Sequence, residues 1–126
     1  MPTTHPTRLV IEAVLLVAQD HPDPGLTPER VAAELHVSRR HLDRLLPHGQ
    51  GIGSLILHFR LRTAWKLLER HPNLPVEVLA RRSGFADRNT FRENFARVYG
   101  VTPSQARTSR TMRRIPPHRH RLPSFD

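Results

Sequence analysis

Arg88, Asn89, Arg92 and Glu93 place four hydrogen-bonding side chains within six positions and include no nucleophile. Arginine's planar fork suits phosphate and guanine contacts, so residues of these types point to recognition and not to bond breaking. Their positioning follows from their neighbours. Phe91 and Phe95 stand four residues apart, which puts them on one buried helix face and turns the four polar residues outward. Asp87 is a favoured N-cap for that helix. Ahead of it, Val76, Leu79 and Ala80 form a short apolar-spaced run, and Gly84-Phe85 marks a turn. Two short helices with a tight turn between them, the second carrying arginine and an amide on its open side, make the pattern of a helix-turn-helix.

An earlier stretch repeats the pattern. Thr27-Pro28 supplies a cap followed by proline at the first helical position, a clear helix start. Val31, Ala32 and Leu35 form the apolar face, His36-Val37 is the turn, and Ser38 caps the next helix. There Leu42, Leu45 and Leu46 face inward, Arg39, Arg40, Asp43 and Arg44 face outward, and Pro47 and Gly49 stop the run. Val31-Ala32 corresponds to Leu79-Ala80, Leu42 to Phe91 and Leu46 to Phe95, so the second turn is one residue longer. Between the copies, a glycine-rich stretch 49–53 leads into a long helix over 54–70 that bears Ile56, Phe59, Ala64, Leu67 and Leu68. Before them, 7–20 reads as a helix with Val10, Ala13, Val14 and Val17 on one face and Ile11, Leu15 and Ala18 on a second. That double apolar face predicts deep burial under the first helix-turn-helix, the favoured reading, or else a part left exposed as a patch for a partner subunit.

Composition narrows the function classes. The chain has 126 residues, a net charge of +9 and a pI near 11.7, which points to an anionic partner. Nearly all the cationic residues are arginine, with Lys66 the only lysine; a GC-rich genome explains that bias equally well. The absence of cysteine excludes disulfides, thiolate chemistry and cysteine zinc sites. The longest apolar run, 9–18, is interrupted by Glu12 and is too short to span a bilayer, and the N-terminus lacks the features of a signal peptide. The expected location is the cytoplasm, at the nucleoid. His118 and His120 are the closest histidine pair, but no carboxylate or thiolate accompanies them, and His36 and His41 do not share a helix face. No metal, no cofactor and no catalytic residue is expected. Residues 49–53 lack the lysine of a phosphate-binding P-loop, and Trp65 belongs either to the packing of the long helix or to its partly exposed side.

The order Leu79-Ala80, Gly84-Phe85, Asp87, Phe91, Phe95, Tyr99-Gly100, Thr102-Pro103 and Arg107 resembles the signature of the AraC/XylS family of bacterial transcription regulators. The Arg60 to Ala64 spacing is similar to the family's linker helix. The resemblance implies an all-α fold of about seven helices, with two helix-turn-helix subdomains joined by a long linker helix. Its parts would be a flexible start (1–6), a first subdomain (7–49), a linker helix (50–71), a second subdomain (72–107) and a disordered basic tail rich in proline and arginine (108–126). Most members would carry glycine at His36, where positive φ is often required; histidine tolerates it better than most residues. The approach to the linker helix looks about two residues shorter than usual, with Gly49 or Gly51 as the family's glycine.

Carried over by position, the resemblance assigns base contacts to Arg40, Asp43 and Arg44 in the first copy. In the second it assigns them to Arg88, Asn89, Arg92 and Glu93. Arginine binds guanine O6 and N7, asparagine pairs with adenine, and a carboxylate accepts from cytosine N4. Arg39, with the helix starts at Ser38 and Thr102, would contact phosphate. A linker of about 17 residues spans roughly 26 Å, and with its flanking turns it can set two recognition helices about one duplex turn apart, roughly 34 Å. The implied function is sequence-specific transcription regulation as a monomer on double-stranded DNA, at an asymmetric site, with RNA polymerase as a further partner. Family members usually carry a separate effector domain, and this sequence reads as the DNA-binding domain alone. An interaction module, or a fragment of a larger regulator that docks a partner subunit through the apolar first helix and basic tail, is the competing reading. An enzyme is not expected: some DNA-repair methyltransferases contain a similar domain, but their chemistry needs cysteines.

Overall fold

The computed structural model describes residues 5–46 and 50–107, which form seven α-helices and no strand. They are α1 (Pro6–Asp20), α2 (Pro28–Glu34), α3 (Arg39–Leu45), α4 (Gly51–Arg70), α5 (Val76–Arg82), α6 (Arg88–Tyr99) and α7 (Pro103–Ala106). The chain divides into two compact units, with the boundary inside α4 between Phe59 and Arg60. The expected tail from 108, including the His118 and His120 pair, and the expected stop at Pro47 and Gly49 lie outside the described residues.

In the first unit, α1, α2, α3 and the start of α4 enclose one apolar core. Leu9, Ala13 and Val17 of α1 meet Val31 and Ala32 of α2, Leu42 of α3, and Ile52, Leu55 and Ile56 of α4. The expectation for α1 needs correction. Its buried row is Leu9, Ala13 and Val17, spaced four apart, with Val10 and Val14 partly buried beside it. Ile11 and Leu15 are 53% and 63% exposed, because α2 and α3 cover only one side of the helix. The second apolar face is therefore open at Ile11 and Leu15, with Ala18 half-buried.

The second unit is built from the rest of α4 with α5, α6 and α7, and its centre is aromatic. Trp65 is 1% exposed, 4.6 Å from the ring of Tyr99 and 6.2 Å from that of Phe95. Phe91 packs edge-on to Phe95 at 5.6 Å and tilts against Phe85 at 5.1 Å. Offset and edge-on rings add about 0.5–1.5 kcal/mol per pair beyond burial. Burial also pushes the Tyr99 phenol above its ordinary pKa, so it stays neutral. Ser83, fully buried, donates its hydroxyl to Leu79 O at 2.7 Å, which removes the cost of an unmet polar group. Arg107 donates to Pro72 O at 2.9 Å and ties the end of α7 to the connector before α5.

Helix α4 starts three residues earlier than its apolar pattern suggested, absorbing Gly51 to Gly53 from the glycine-rich stretch. The cause is specific. Ile52 is fully buried, and its N–H donates to Asp43 Oδ1 at 2.8 Å, so the new first turn has both an anchor and a cap. Gly51 takes φ 79°, close to the 76° of Gly100, and each stands five residues after one of the two matched buried residues of the copies, Leu46 and Phe95. After Gly100 the chain runs on to Thr102, which caps α7 in a capping box with Gln105. After Gly51 there is no such run, and Asp43 supplies the cap from α3 instead.

Candidate nucleic-acid interface

The two helix-turn-helix copies are built by the same local chemistry. At the first turn, His36 N–H donates to Ala33 O and Val37 N–H to Ala32 O; at the second, Gly84 N–H donates to Arg81 O and Phe85 N–H to Ala80 O. This is the Schellman arrangement, in which a residue with left-handed φ closes the helix. His36 adopts φ 58° and Gly84 φ 102°. The recognition helices then start on side-chain caps: Ser38 accepts from His41 N–H at 3.1 Å, and Asp87 from Thr90 N–H at 2.8 Å. Thr90 also donates its hydroxyl to Asp87 at 2.9 Å, and these two bonds hold the Asp87 carboxyl below the ordinary value of 3.8.

Beyond each cap the arginines face solvent, as their spacing suggested. Arg40 and Arg44 of α3 are exposed, and Arg39, Arg40, Asp43 and Arg44 together line an open cleft. Arg88, Asn89, Arg92 and Glu93 of α6 are exposed. Thr102 is committed to the N–H of Gln105 at the start of α7.

Asp43 departs from the expected outward role. With Oδ1 on Ile52 N–H and Oδ2 3.5 Å from Arg39 Nε, its carboxylate faces the start of α4 and its own helix. The geometry makes it a joint between α3 and α4. A Cβ at residue 51 would lie 3.1 Å from Asp43 Oδ1 and 3.3 Å from its Cγ, so the glycine is needed for this approach as well as for its φ.

The first arginine of each recognition helix is also engaged. Arg39 pairs with Glu29, and Arg88 donates to Glu77 at 2.7 Å. Glu29 and Glu77 are each the second residue of the preceding helix, and Arg39 and Arg88 each the first residue of the recognition helix. The ion pair is thus made twice, at matching positions. Donation from its own backbone N–H and from Arg39 holds the Glu29 carboxyl below its ordinary range. Sequence reasoning missed both acids. The signal that could have found them was the repeat itself, read beyond its apolar positions.

Comparison with known proteins agrees with this construction. The helix-turn-helix domain family matches residues 31–109. The HTH-type transcriptional regulator GlxA of Rhizobium meliloti is 34% identical over 107 residues, covering 83% of this chain and 32% of its own length. The RCS-specific HTH-type transcriptional activator RclR of Escherichia coli is 31% identical over 97 residues, 75% of this chain and 34% of its own. The chain thus spans about a third of the length of these curated relatives. Among solved structures, the C-terminal domain of AraT, a response regulator from Geobacillus stearothermophilus, superposes with a TM-score of 0.75 at 28% identity, covering 82% of this chain and 87% of that one. The C-terminal domain of the two-component response regulator yesN from Fusobacterium nucleatum shares the fold at a TM-score of 0.71 and 24% identity, covering 76% and 94%.

Proposed function

Because the chain belongs to the AraC-type helix-turn-helix family of DNA-binding transcription regulators, we propose that it reads an asymmetric site on double-stranded DNA with α3 and α6 in successive major grooves. The observation that carries this reading is the duplicated, capped helix-turn-helix, with an arginine-bearing open face on each copy and the unbroken helix α4 joining them. Two recognition helices on one polypeptide supply what simpler helix-turn-helix proteins obtain by dimerising. A monomer is then sufficient, and because the two helices differ in sequence, so do the half-sites.

Arg40 and Arg44 read bases from α3, and Arg88, Asn89, Arg92 and Glu93 from α6, by the pairings open to arginine, amide and carboxylate in the major groove. Arg39 and the starts of α3 and α7 at Ser38 and Thr102 set the register on the phosphates. Asp43 holds α3 to α4 and acts on the reading through that joint. As a regulator the protein works in the cytoplasm, on the nucleoid, with RNA polymerase as a further partner.

The second reading, a module that docks a partner subunit, draws support from the open face at Ile11 and Leu15. One experiment separates the two. The full chain is used to select bound duplexes from a random pool. A reproducible motif of two unlike halves about one helical turn apart supports the regulator. Enrichment of no motif, or of one half-site only, overturns the two-helix reading and favours the module.

A further inference from the structure

We propose that Glu29 and Glu77 are specificity-setting clasps: each occupies the leading arginine of its recognition helix and so holds down binding to DNA of the wrong sequence. The inference rests on the DNA-binding reading above and concerns two residues which that reading leaves without a role.

The geometry is duplicated. Glu29 on α2 meets Arg39 on α3, and Glu77 on α5 meets Arg88 on α6, across turns that differ by one residue in length. Both pairs are open to solvent, with side-chain exposures of 50% and 63% for Arg39 and Glu29, and 51% and 62% for Arg88 and Glu77. Exposed pairs of this kind add little to folding stability. Arg40, Arg44 and Arg92, on the same open faces, make no ion pair among the described residues. The acids are therefore placed on the one arginine of each helix that stands at its start, where a phosphate would come first.

A free arginine gains from any phosphate, whatever the sequence. A clasped one must give up a carboxylate to take a phosphate, an exchange of one anion for another, and the released glutamate then faces the polyanion. Non-specific binding gains little from it. A correctly placed guanine offers two acceptors in a geometry matched to the guanidinium fork, or a well-fitted site aligns the phosphate, and the exchange becomes favourable. The clasp thus acts on the ratio of correct to incorrect binding.

The test uses the full chain, a duplex enriched in the random-pool selection, and a scrambled duplex of the same length and composition. Glu77→Gln keeps the side-chain shape and removes the charge. It should tighten binding to the scrambled duplex about two- to fivefold, the size of an exposed ion pair, and lower the ratio of correct to scrambled binding by a similar factor. Its salt dependence on the scrambled duplex should steepen by up to about 0.9 in log–log slope, one extra phosphate contact. In an Arg88→Gln background the same substitution should have no such effect. Glu29→Gln with Arg39→Gln gives the matching cycle for the first copy. Equal tightening with and without Arg88 would mean that Glu77 acts only as a distant negative charge, and would overturn the clasp. So would variants that bind both duplexes as the parent does. A parent protein that retains no duplex even at low salt overturns the DNA-binding reading, and this inference with it.

Discussion

His36 and Gly84 hold the same place in the two turns, each closing a helix in the left-handed conformation, at φ 58° and 102°. Only the second turn uses the residue that adopts this conformation without strain.

Replacing His36 with glycine should therefore stabilise the first unit. Relief of a left-handed non-glycine residue is about 1–2 kcal/mol, against about 0.4–1 kcal/mol for the greater freedom of glycine in the unfolded chain. A net gain of about 0.5–1 kcal/mol is expected, read from urea unfolding. His36→Val, branched at Cβ, should destabilise. A glycine variant less stable than the parent would show that the imidazole makes a compensating contact.

The joint between α3 and α4 gives a graded series. Asp43→Ala removes the cap on Ile52 N–H and should cost about 0.5–2 kcal/mol, whereas Asp43→Asn retains an acceptor and should cost less. Gly51→Ala should be the most damaging of the three, since it meets both a positive φ and the Asp43 carboxylate. Chemical denaturation of the three variants side by side tests the order.

Asp87 makes stability sensitive to acid. Its carboxyl titrates below the ordinary 3.8 in the folded protein, because Thr90 donates to it twice. A group whose folded pKa is depressed contributes stability above its unfolded pKa and loses it as pH falls through the folded one. Asp87→Ala should accordingly unfold more readily than the parent at neutral pH, with the gap closing below pH 3.8. A gap that persists unchanged well below that pH would remove the ionised cap as the cause.

On DNA, Arg44→Ala and Arg88→Ala should each cost about 1–3 kcal/mol on the selected site and relax the base preference at one position. Binding assays against single-base variants of the site measure both effects. A loss equal on every sequence would mark these arginines as phosphate contacts.

Trp65 is the only tryptophan, and it lies inside the second unit. Its fluorescence should be blue-shifted in the folded chain and move to the red as that unit unfolds. Trp65→Ala should cost about 3–5 kcal/mol, the penalty of emptying an aromatic core site.

Much of this architecture is readable without coordinates, because its signals are local. The caps at Thr27, Ser38, Asp87 and Thr102 and the spacing of Leu42 and Leu46, and of Phe91 and Phe95, are set within one or two helical turns. The need for positive φ at His36 is equally local. From these alone come the all-α class, the two helix-turn-helix copies and the outward arginines. Other features join residues that periodicity does not connect, and tertiary structure decided them. Apolar spacing marks two faces of α1 as alike, yet α2 and α3 can cover only one, which leaves Ile11 and Leu15 in solvent. Asp43 looks like any outward helix residue until α4 brings the N–H of Ile52 within 2.8 Å and draws its carboxylate away from the open face. Glu29 and Glu77 recur at matching places in the repeat, which marks them as a pair, but the fold of each turn is what sets them on Arg39 and Arg88. Local propensity depends on the next few residues; the partner of a charged side chain depends on which helix packs beside it.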